Sequence, residues 1–336
     1  MEYLYHKLFF CEVIKILDLK PYFRIIIIYS PISMFFNQIN AKQSEFWKYL
    51  VGSLLLFCAS LIGQLPFIIG VFLKTSQDNL PYPTTYQSTI GLFEPNLTLF
   101  LMLLSFVFIF FQLVALVRFF HKQTFLTIIT SRNKIDWNRV VFSFSIWAAI
   151  TIITTILFYS IYPQEFIVQF QLIPFLGLFG VGLLLFPFQI GCEELIFRGY
   201  LMQGFGNMAK NRWFPLLMTS LIFGLLHIAN PEVDKMGYSI LIYYIGTGLF
   251  LGVITLMDDG IELALGFHFA NNFIGALLVT SDWTAIQTHS ILKSVSDPSV
   301  LFDIILPVSL FFPLLIWLFA RKYHWGNWRQ KLMGNI

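Results

Sequence analysis

Charged side chains are scarce in this sequence. Asp, Glu, Lys and Arg make up 12% of its 336 residues, whereas soluble domains carry about 25%. The net charge of +3 is small, and the basic residues are dispersed, which argues against a nucleic-acid partner. Hydrophobic residues make up 57% of the chain. This balance excludes an ordinary soluble domain and indicates a protein that lies in the membrane.

Cysteine is also rare. The three cysteines, Cys11, Cys58 and Cys192, have no paired spacing, which argues against a disulfide framework or a cysteine-based metal site. Cys192 adjoins the polar motif described below. We interpret it as a small apolar filler, because a thiol in an apolar environment resists the ionisation that nucleophilic attack requires.

Long apolar runs are what the sequence has in abundance. Each of them approaches the length of about 20 residues that a helix needs to cross a bilayer. The runs cover about 46–73, 97–117, 140–160, 173–204, 213–229, 237–257, 261–280 and 301–320. The sequence therefore predicts an all-α polytopic membrane protein with about eight transmembrane helices and no soluble domain.

The runs divide the chain into three predicted parts. Residues 1–45 form an N-terminal segment, either interfacial or an extension, because their apolar patch is short and interrupted. Residues 46–320 form the polytopic domain, and residues 321–336 form a basic tail. Lys and Arg concentrate in the segments on one side of the membrane, so both termini are predicted to be cytoplasmic. We expect the plasma membrane of a bacterium as the location.

An acidic turn connects the sixth and seventh runs. It contains Asp258, Asp259 and Glu262, with Gly260 at the bend. We interpret it as a solvated turn and not as a cation site.

Charged residues interrupt the end of the fourth run, at IGCEELIFRGYL, residues 190–201. Ionised carboxylates are costly beside hydrocarbon, so Glu193 and Glu194 indicate a functional site. Glu194 and Arg198 are spaced i, i+4 in the acid-first order that favours an ion pair. Glu193 then points about 100° away on the helix and is free for chemistry. The alternative is that the charges only mark a helix end among the headgroups.

Two further motifs place histidines in apolar runs. His227 follows Phe223 in FGLLH, and His268 precedes Asn272 in HFANN. Each pair is spaced i, i+4, which places its members on one helical face. A single histidine of this kind would be an ordinary core residue, but two of them together with a glutamate pair indicate a common site.

The three motifs, EExxxR, FxxxH and HxxxN in this order, resemble those of the CAAX prenyl protease and bacteriocin-processing family of intramembrane endopeptidases. The resemblance covers about residues 170–285, and all three motifs are present without a departure. It implies a peptide substrate presented near the membrane and a site within the helix bundle, between helices 4, 5 and 7.

Peptide hydrolysis needs a base that activates water, donors for the oxyanion and a proton for the leaving amine. Glu193 is the candidate base, and His227 shares the water and shuttles the proton. His268 and Asn272 suit an oxyanion hole, because an imidazole and a carboxamide both offer N–H donors. The family resemblance implies the same roles. Glu194 and Arg198 would then act in support, by orienting the helix or contacting the substrate.

The same side chains permit a metal-dependent mechanism if they converge. Two histidines and one glutamate around an open position form a zinc-hydrolase ligand set, here Glu193, His227 and His268. Asn272 beside His268 suits oxyanion binding better than metal ligation. We therefore favour a metal-free glutamate mechanism without a cofactor and keep the zinc-dependent protease as the alternative.

Two other classes of function compete with a protease. Buried Glu, Arg and His also form proton relays in transporters, but no pair of interrupted helices recurs in two halves of the sequence. A catalytically silent relative acting as a bacteriocin-immunity or membrane assembly factor is the other alternative. The expected partners are a membrane-associated peptide or protein substrate and the lipid bilayer, and no nucleic acid.

Overall fold

The computed structural model describes residues 35–38 and 45–336 of the chain. Almost all of the predicted N-terminal segment, residues 1–45, lies outside the described residues. Six helical segments of the described chain are long and apolar enough to cross a membrane. They are Phe46–Gln77, Pro95–Phe120, Trp137–Ile161, Leu172–Ala209, Pro231–Asp258 and Val300–Lys322. The predicted all-α polytopic architecture is confirmed.

Four of the six long segments join α-helices end to end with other helical turns, whereas Phe46–Gln77 and Trp137–Ile161 are single α-helices. The α-helices are α1 (Phe46–Gln77), α2 (Tyr86–Ile90), α3 (Pro95–Ala115), α4 (Trp137–Ile161), α5 (Leu172–Glu194), α6 (Met202–Ala209), α7 (Trp213–Leu225), α8 (Pro231–Met236), α9 (Ile240–Asp258), α10 (Glu262–Phe269), α11 (Gly275–Leu278), α12 (Phe312–Lys322) and α13 (Trp328–Met333). Segments of π-helix cover Leu116–Phe120, Leu195–Leu201, Ala270–Ile274, Val300–Ile305 and Pro307–Phe311. Short 3₁₀ turns cover Phe35–Gln38, Phe125–Ile128, Pro163–Glu165 and Gly237–Ser239.

The predicted count of eight spanning helices is not confirmed, because two of the runs form shorter helices. The run at 213–229 contains α7, which has 13 residues. The run at 261–280 contains α10, which continues through a π-helical segment into α11. A helix needs about 20 residues to cross the hydrocarbon. The other six runs correspond to the six long segments.

A small three-stranded sheet joins the helical regions that carry the EExxxR and HxxxN motifs. Strand β1 (Phe166–Val168) lies before α5, and β2 (Val279–Ser281) follows α11. Strand β3 (Leu292–Ser294) lies between them, antiparallel to β1 and parallel to β2. Backbone hydrogen bonds across this sheet therefore connect the start of α5 to the end of α11.

Close packing of α10 on α4 fixes the position of the histidine motif. A Cβ atom at Gly266 would overlap the carbonyl oxygen of Val140, so only glycine allows this approach. Leu263 and Ala264 on α10 are fully buried. Because lipid is as apolar as these side chains, van der Waals packing between helices stabilises such contacts.

The acidic turn between α9 and α10 is buried, so the prediction of a solvated turn was wrong. Asp258, Asp259 and Glu262 are 5%, 8% and 0% exposed. Arg132 lies 3.0 Å from the Asp258 carboxylate and 3.1 Å from that of Glu262. Lys331 lies 2.6 Å from the Asp259 carboxylate. Basic residues that are distant in sequence neutralise the acids, which is why composition alone misjudged this turn.

The C-terminal residues pack on the same side of the bundle as this turn. The Trp325 indole donates a hydrogen bond to Asp258 at 3.0 Å. The Ile336 N–H donates to the Lys210 carbonyl at 3.1 Å, and the Arg212 N–H donates to the Gly334 carbonyl at 3.1 Å. The predicted tail thus contacts the α6–α7 connection and the end of α9.

Candidate active site

The glutamate pair lies where α5 changes into a π-helix. Glu194 is the last residue of α5, and the π-helical segment Leu195–Leu201 carries Arg198. The wider turn of a π-helix often occurs at functional sites. The Glu194 side chain is fully buried, whereas that of Glu193 is 17% exposed. The two neighbouring carboxylates therefore differ in their access to a substrate.

Glu194 accepts two charge-assisted contacts on one carboxylate oxygen. Arg198 Nη1 lies 3.1 Å from Glu194 Oε1, as the i, i+4 spacing predicts. The Nδ1–H of His268 donates to the same oxygen at 2.7 Å. Breaking a buried ion pair by removing one partner typically costs about 3–5 kcal/mol. Glu194 therefore links α5 to α10 through a buried hydrogen bond.

Arg198 is held in place by further contacts. Its side chain is fully buried. Its Nη2 donates to the Gly248 carbonyl of α9 at 3.3 Å, and its guanidinium lies 4.4 Å from the centre of the Phe223 ring of α7. The Phe223 ring thus supports the charge through a cation–π contact.

His268 lies between the two carboxylates. Because Nδ1 donates to Glu194, the other ring nitrogen faces Glu193, with Nε2 3.6 Å from Glu193 Oε2. The hydrogen bond at Nδ1 fixes the ring orientation and identifies Nε2 as the nitrogen free for chemistry. The structure therefore brings together Glu193, Glu194, Arg198 and His268.

His227 lies beside this group and not within it. It follows the end of α7, and its Nδ1–H donates to the Phe223 carbonyl at 2.7 Å. Its ring stacks on Tyr244 at 4.3 Å, and the Phe223 ring lies 4.8 Å from His227 and 6.3 Å from His268. Among the described residues, no hydrogen bond or ion pair joins His227 to Glu193 or His268. Its Nε2 makes no hydrogen bond among the described residues.

Asn272 belongs to the π-helical segment Ala270–Ile274, directly after the helix that carries His268. Its Oδ1 accepts a hydrogen bond from Asn271 Nδ2 at 3.1 Å. Asn271 Oδ1 in turn accepts from the Trp147 indole of α4 at 3.2 Å. Sequence reasoning missed both neighbours. The paired asparagines in an apolar run could have indicated Asn271, but no sequence signal connects Trp147 to it.

The residues proposed as zinc ligands do not form a ligand set in this arrangement. Within residues 35–38 and 45–336, no group of three or more His, Cys, Asp or Glu side chains could hold a metal ion. The His227 ring instead contacts the Phe223 carbonyl and the Tyr244 ring.

Cys192 has the surroundings of a packing residue. It is buried, and its thiol donates to the Phe106 carbonyl at 3.1 Å. This contact satisfies the thiol in the apolar core between α3 and α5.

Fold and site define a polytopic helical membrane protein with buried glutamate and histidine residues on separate helices. The model of the Rce1-like family, type II CAAX prenyl endopeptidases, matches residues 174–274, which contain all three sequence motifs. The chain is 30% identical over 239 residues to the uncharacterized protein YyaK of Bacillus subtilis (strain 168). The aligned residues make up 71% of this chain and 79% of that relative. The comparison with solved structures finds no match. The chain belongs to the Rce1-like family, and this membership supports an intramembrane CAAX-type endopeptidase.

Proposed function

We propose that this protein is an intramembrane endopeptidase in which Glu193 activates the water that attacks a peptide bond. The observation that carries the proposal is the position of His268, between the carboxylates of Glu193 and Glu194. Two helices far apart in sequence meet there in a largely buried site. Polar groups arranged in this way in a low-dielectric site act strongly on charge that develops in a reaction.

In the proposed mechanism, Glu193 accepts a proton from water while the water oxygen bonds to the carbonyl carbon. The carbonyl electron pair moves to its oxygen and forms the oxyanion. Collapse of this intermediate breaks the C–N bond, and the proton held by Glu193 passes to the leaving amine. His227, with Nδ1 bound to a backbone carbonyl and Nε2 free, suits the relay of that proton.

His268 and Asn272 are proposed to bind the oxyanion. His268 already donates from Nδ1 to Glu194, so donation from Nε2 requires a proton on both ring nitrogens. The neighbouring carboxylates balance the charge of that form. Asn272 supplies a carboxamide N–H from the next turn.

Glu194 and Arg198 are proposed to position these groups. Glu194 orients the His268 ring, and Arg198 compensates the buried charge of Glu194. The mechanism needs no metal or other cofactor. The zinc-dependent alternative would require Glu193, His227 and His268 to converge on one metal ion.

The proposed substrate is a membrane-associated peptide or protein, in line with the prenyl endopeptidases of the family. Six apolar helical segments make this a multi-pass membrane protein. We propose the plasma membrane as its location, with both termini cytoplasmic by the distribution of Lys and Arg. The composition supports no nucleic-acid partner.

Cleavage of membrane-tethered quenched peptides by the purified protein in detergent tests this proposal. A panel with and without a farnesylated cysteine near the C-terminus would be compared for wild type, Glu193→Gln and His227→Ala, each with and without a chelator. We expect Glu193→Gln and His227→Ala to lose activity and the chelator to have no effect. Glu45→Gln, at an exposed glutamate, is the matched control.

Other outcomes would contradict the proposal in distinct ways. Loss of wild-type activity with chelator and recovery with zinc would favour the metal-dependent protease. Cleavage by Glu193→Gln at the wild-type rate would exclude Glu193 as the base. A wild-type protein that cleaves no peptide of the panel would favour a non-catalytic role as an immunity or assembly factor.

A further inference from the structure

A chain of two hydrogen bonds leads from α4 to the proposed oxyanion donor Asn272. The Trp147 indole N–H donates to Asn271 Oδ1 at 3.2 Å, and Asn271 Nδ2 donates to Asn272 Oδ1 at 3.1 Å. The two ends of this chain lie 125 residues apart in the sequence, since Trp147 and Asn271 are separated by 124. Trp147 lies outside the three sequence motifs, and Asn271 is one of the unspecified positions of HxxxN.

The Trp147 indole determines which end of the Asn271 carboxamide faces which neighbour. A carboxamide has a donor end and an acceptor end, and either end can face a neighbour. An indole nitrogen can only donate, so the acceptor end of Asn271 must face Trp147. Its donor end then faces Asn272 and occupies the carbonyl oxygen of that residue. The N–H groups of Asn272 are left as the part available to a substrate.

We propose that Trp147 and Asn271 are positioning residues that hold the Asn272 carboxamide with its N–H groups available to the oxyanion. This inference rests on the proposed function, because it needs an oxyanion at this site. Without the chain, Asn272 could present either its oxygen or its nitrogen. An oxygen in that position would repel the oxyanion and not stabilise it.

Packing makes Trp147 a rigid starting point. Its side chain is largely buried, and its ring lies 4.6 Å from that of Phe267 and 6.0 Å from that of Phe311. The close approach of α10 to α4 at Gly266 holds the two helices in contact near this point. The indole therefore has little freedom to follow Asn271 if that side chain turns.

Kinetics of variants test the inference with the tethered peptide that wild type cleaves best. Removal of one oxyanion donor lowers kcat about 10²- to 10³-fold, which is the loss expected for Asn272→Ala. Asn271→Asp should approach that loss. A carboxylate at this position accepts from Trp147 and also from the N–H groups of Asn272, so those N–H groups turn away from the oxyanion. Trp147→Phe removes the orienting N–H together with one ring of the indole and should lower kcat about 10-fold. In all three variants KM should stay within about twofold of wild type, because the interaction forms in the transition state.

The double variant Trp147→Phe with Asn272→Ala separates positioning from general damage. If Trp147 acts through Asn272, the added Trp147→Phe change should have no further effect on kcat. If Trp147→Phe lowers kcat through a packing defect instead, the kcat losses of the two single variants should multiply in the double variant. Trp317→Phe, at an exposed tryptophan of α12, is the matched control and should match wild type.

A spectrum of the protein labelled with ¹⁵N-tryptophan gives a readout that needs no activity. The Trp147 indole resonance is identified by its loss in Trp147→Phe, and it should shift in Asn271→Ala, where its acceptor is removed. In a folded Asn271→Ala variant, an unshifted Trp147 resonance would overturn the inference.

The kinetic outcomes distinguish the inference from the proposed function. If Asn272→Ala is slow while Asn271→Asp and Trp147→Phe keep the wild-type kcat, the positioning role is wrong and the protease mechanism stands. If Asn272→Ala itself cleaves at the wild-type rate, Asn272 is no oxyanion donor and both proposals fail at this residue.

Discussion

His268 donates a hydrogen bond from Nδ1 to the fully buried carboxylate of Glu194 at 2.7 Å. This contact joins two helices whose residues are 74 positions apart, and it directs Nε2 toward the more exposed neighbour Glu193. The fully buried glutamate thus orients the histidine, and the more exposed one, Glu193, is the proposed base.

Replacing Glu194 by glutamine should destabilise the protein and lower its activity. Glu194→Gln leaves the Arg198 guanidinium buried without a charged partner, which typically costs about 3–5 kcal/mol. The melting temperature in detergent and the kcat on a tethered peptide would both fall. The double variant Glu194→Gln with Arg198→Met removes both charges and should recover the melting temperature without recovering kcat. Recovery of both would mean that Glu194 has only a structural role.

The ring of Tyr244 should support the proton relay by His227. The two rings stack at 4.3 Å, and aromatic pairs of this kind contribute about 0.5–1.5 kcal/mol. Tyr244→Leu should therefore lower kcat about 2- to 10-fold, whereas Tyr244→Phe, which keeps the ring, should stay near wild type. Steady-state kinetics on the two variants check this. Equal rates for leucine and phenylalanine would show that stacking does not position His227.

Arg132 should stabilise the corner between α9 and α10. Arg132→Ala removes a partner from the buried carboxylates of Asp258 and Glu262, and we expect a loss of about 3 kcal/mol in the free energy of unfolding. Lys235→Ala breaks an exposed ion pair with Asp297 and is the matched control, expected to cost at most about 1 kcal/mol. Thermal denaturation in detergent compares the two. Similar melting temperatures would contradict the burial of this network.

Adding a methyl group at Gly266 should separate α10 from α4. The Cβ of Gly266→Ala would overlap the Val140 carbonyl oxygen, and overpacking of this kind costs about 1–3 kcal/mol. Because α10 carries His268, kcat should fall together with the melting temperature. Gly180→Ala on α5 is the control, since no atom lies within 4 Å of its added Cβ. A tolerated Gly266→Ala would exclude the close approach of the two helices.

The sequence predicted the features that depend on local spacing and composition. Apolar runs identified the six long membrane segments, and the i, i+4 spacing of Glu194 and Arg198 predicted the contact that the structure has. The ordered motifs indicated the family, which the comparisons confirm. The runs at 213–229 and 261–280 were read as spanning because hydropathy does not show where a helix stops.

Contacts between distant residues could not be predicted in this way. The i, i+4 spacing predicts that Glu194 pairs with Arg198 alone, whereas in the structure His268 contacts the same carboxylate oxygen. The composition of the acidic turn predicts a solvated segment, whereas Arg132 and Lys331, from other parts of the chain, form ion pairs with its carboxylates. A long basic side chain can neutralise an acid anywhere that the fold brings it within reach, so sequence position gives no measure of that distance.

Neighbouring residues alone specify a helical membrane protein with the EExxxR, FxxxH and HxxxN motifs, because hydrophobicity and helical spacing act over short stretches of sequence. Which of those side chains meet depends on the tertiary structure. It placed His268 between the two glutamates, turned His227 toward Tyr244 and brought Trp147 to Asn271. The physical reason is that hydrogen bonds and ring contacts act over a few ångströms, and only the packing of whole helices fixes which groups come that close.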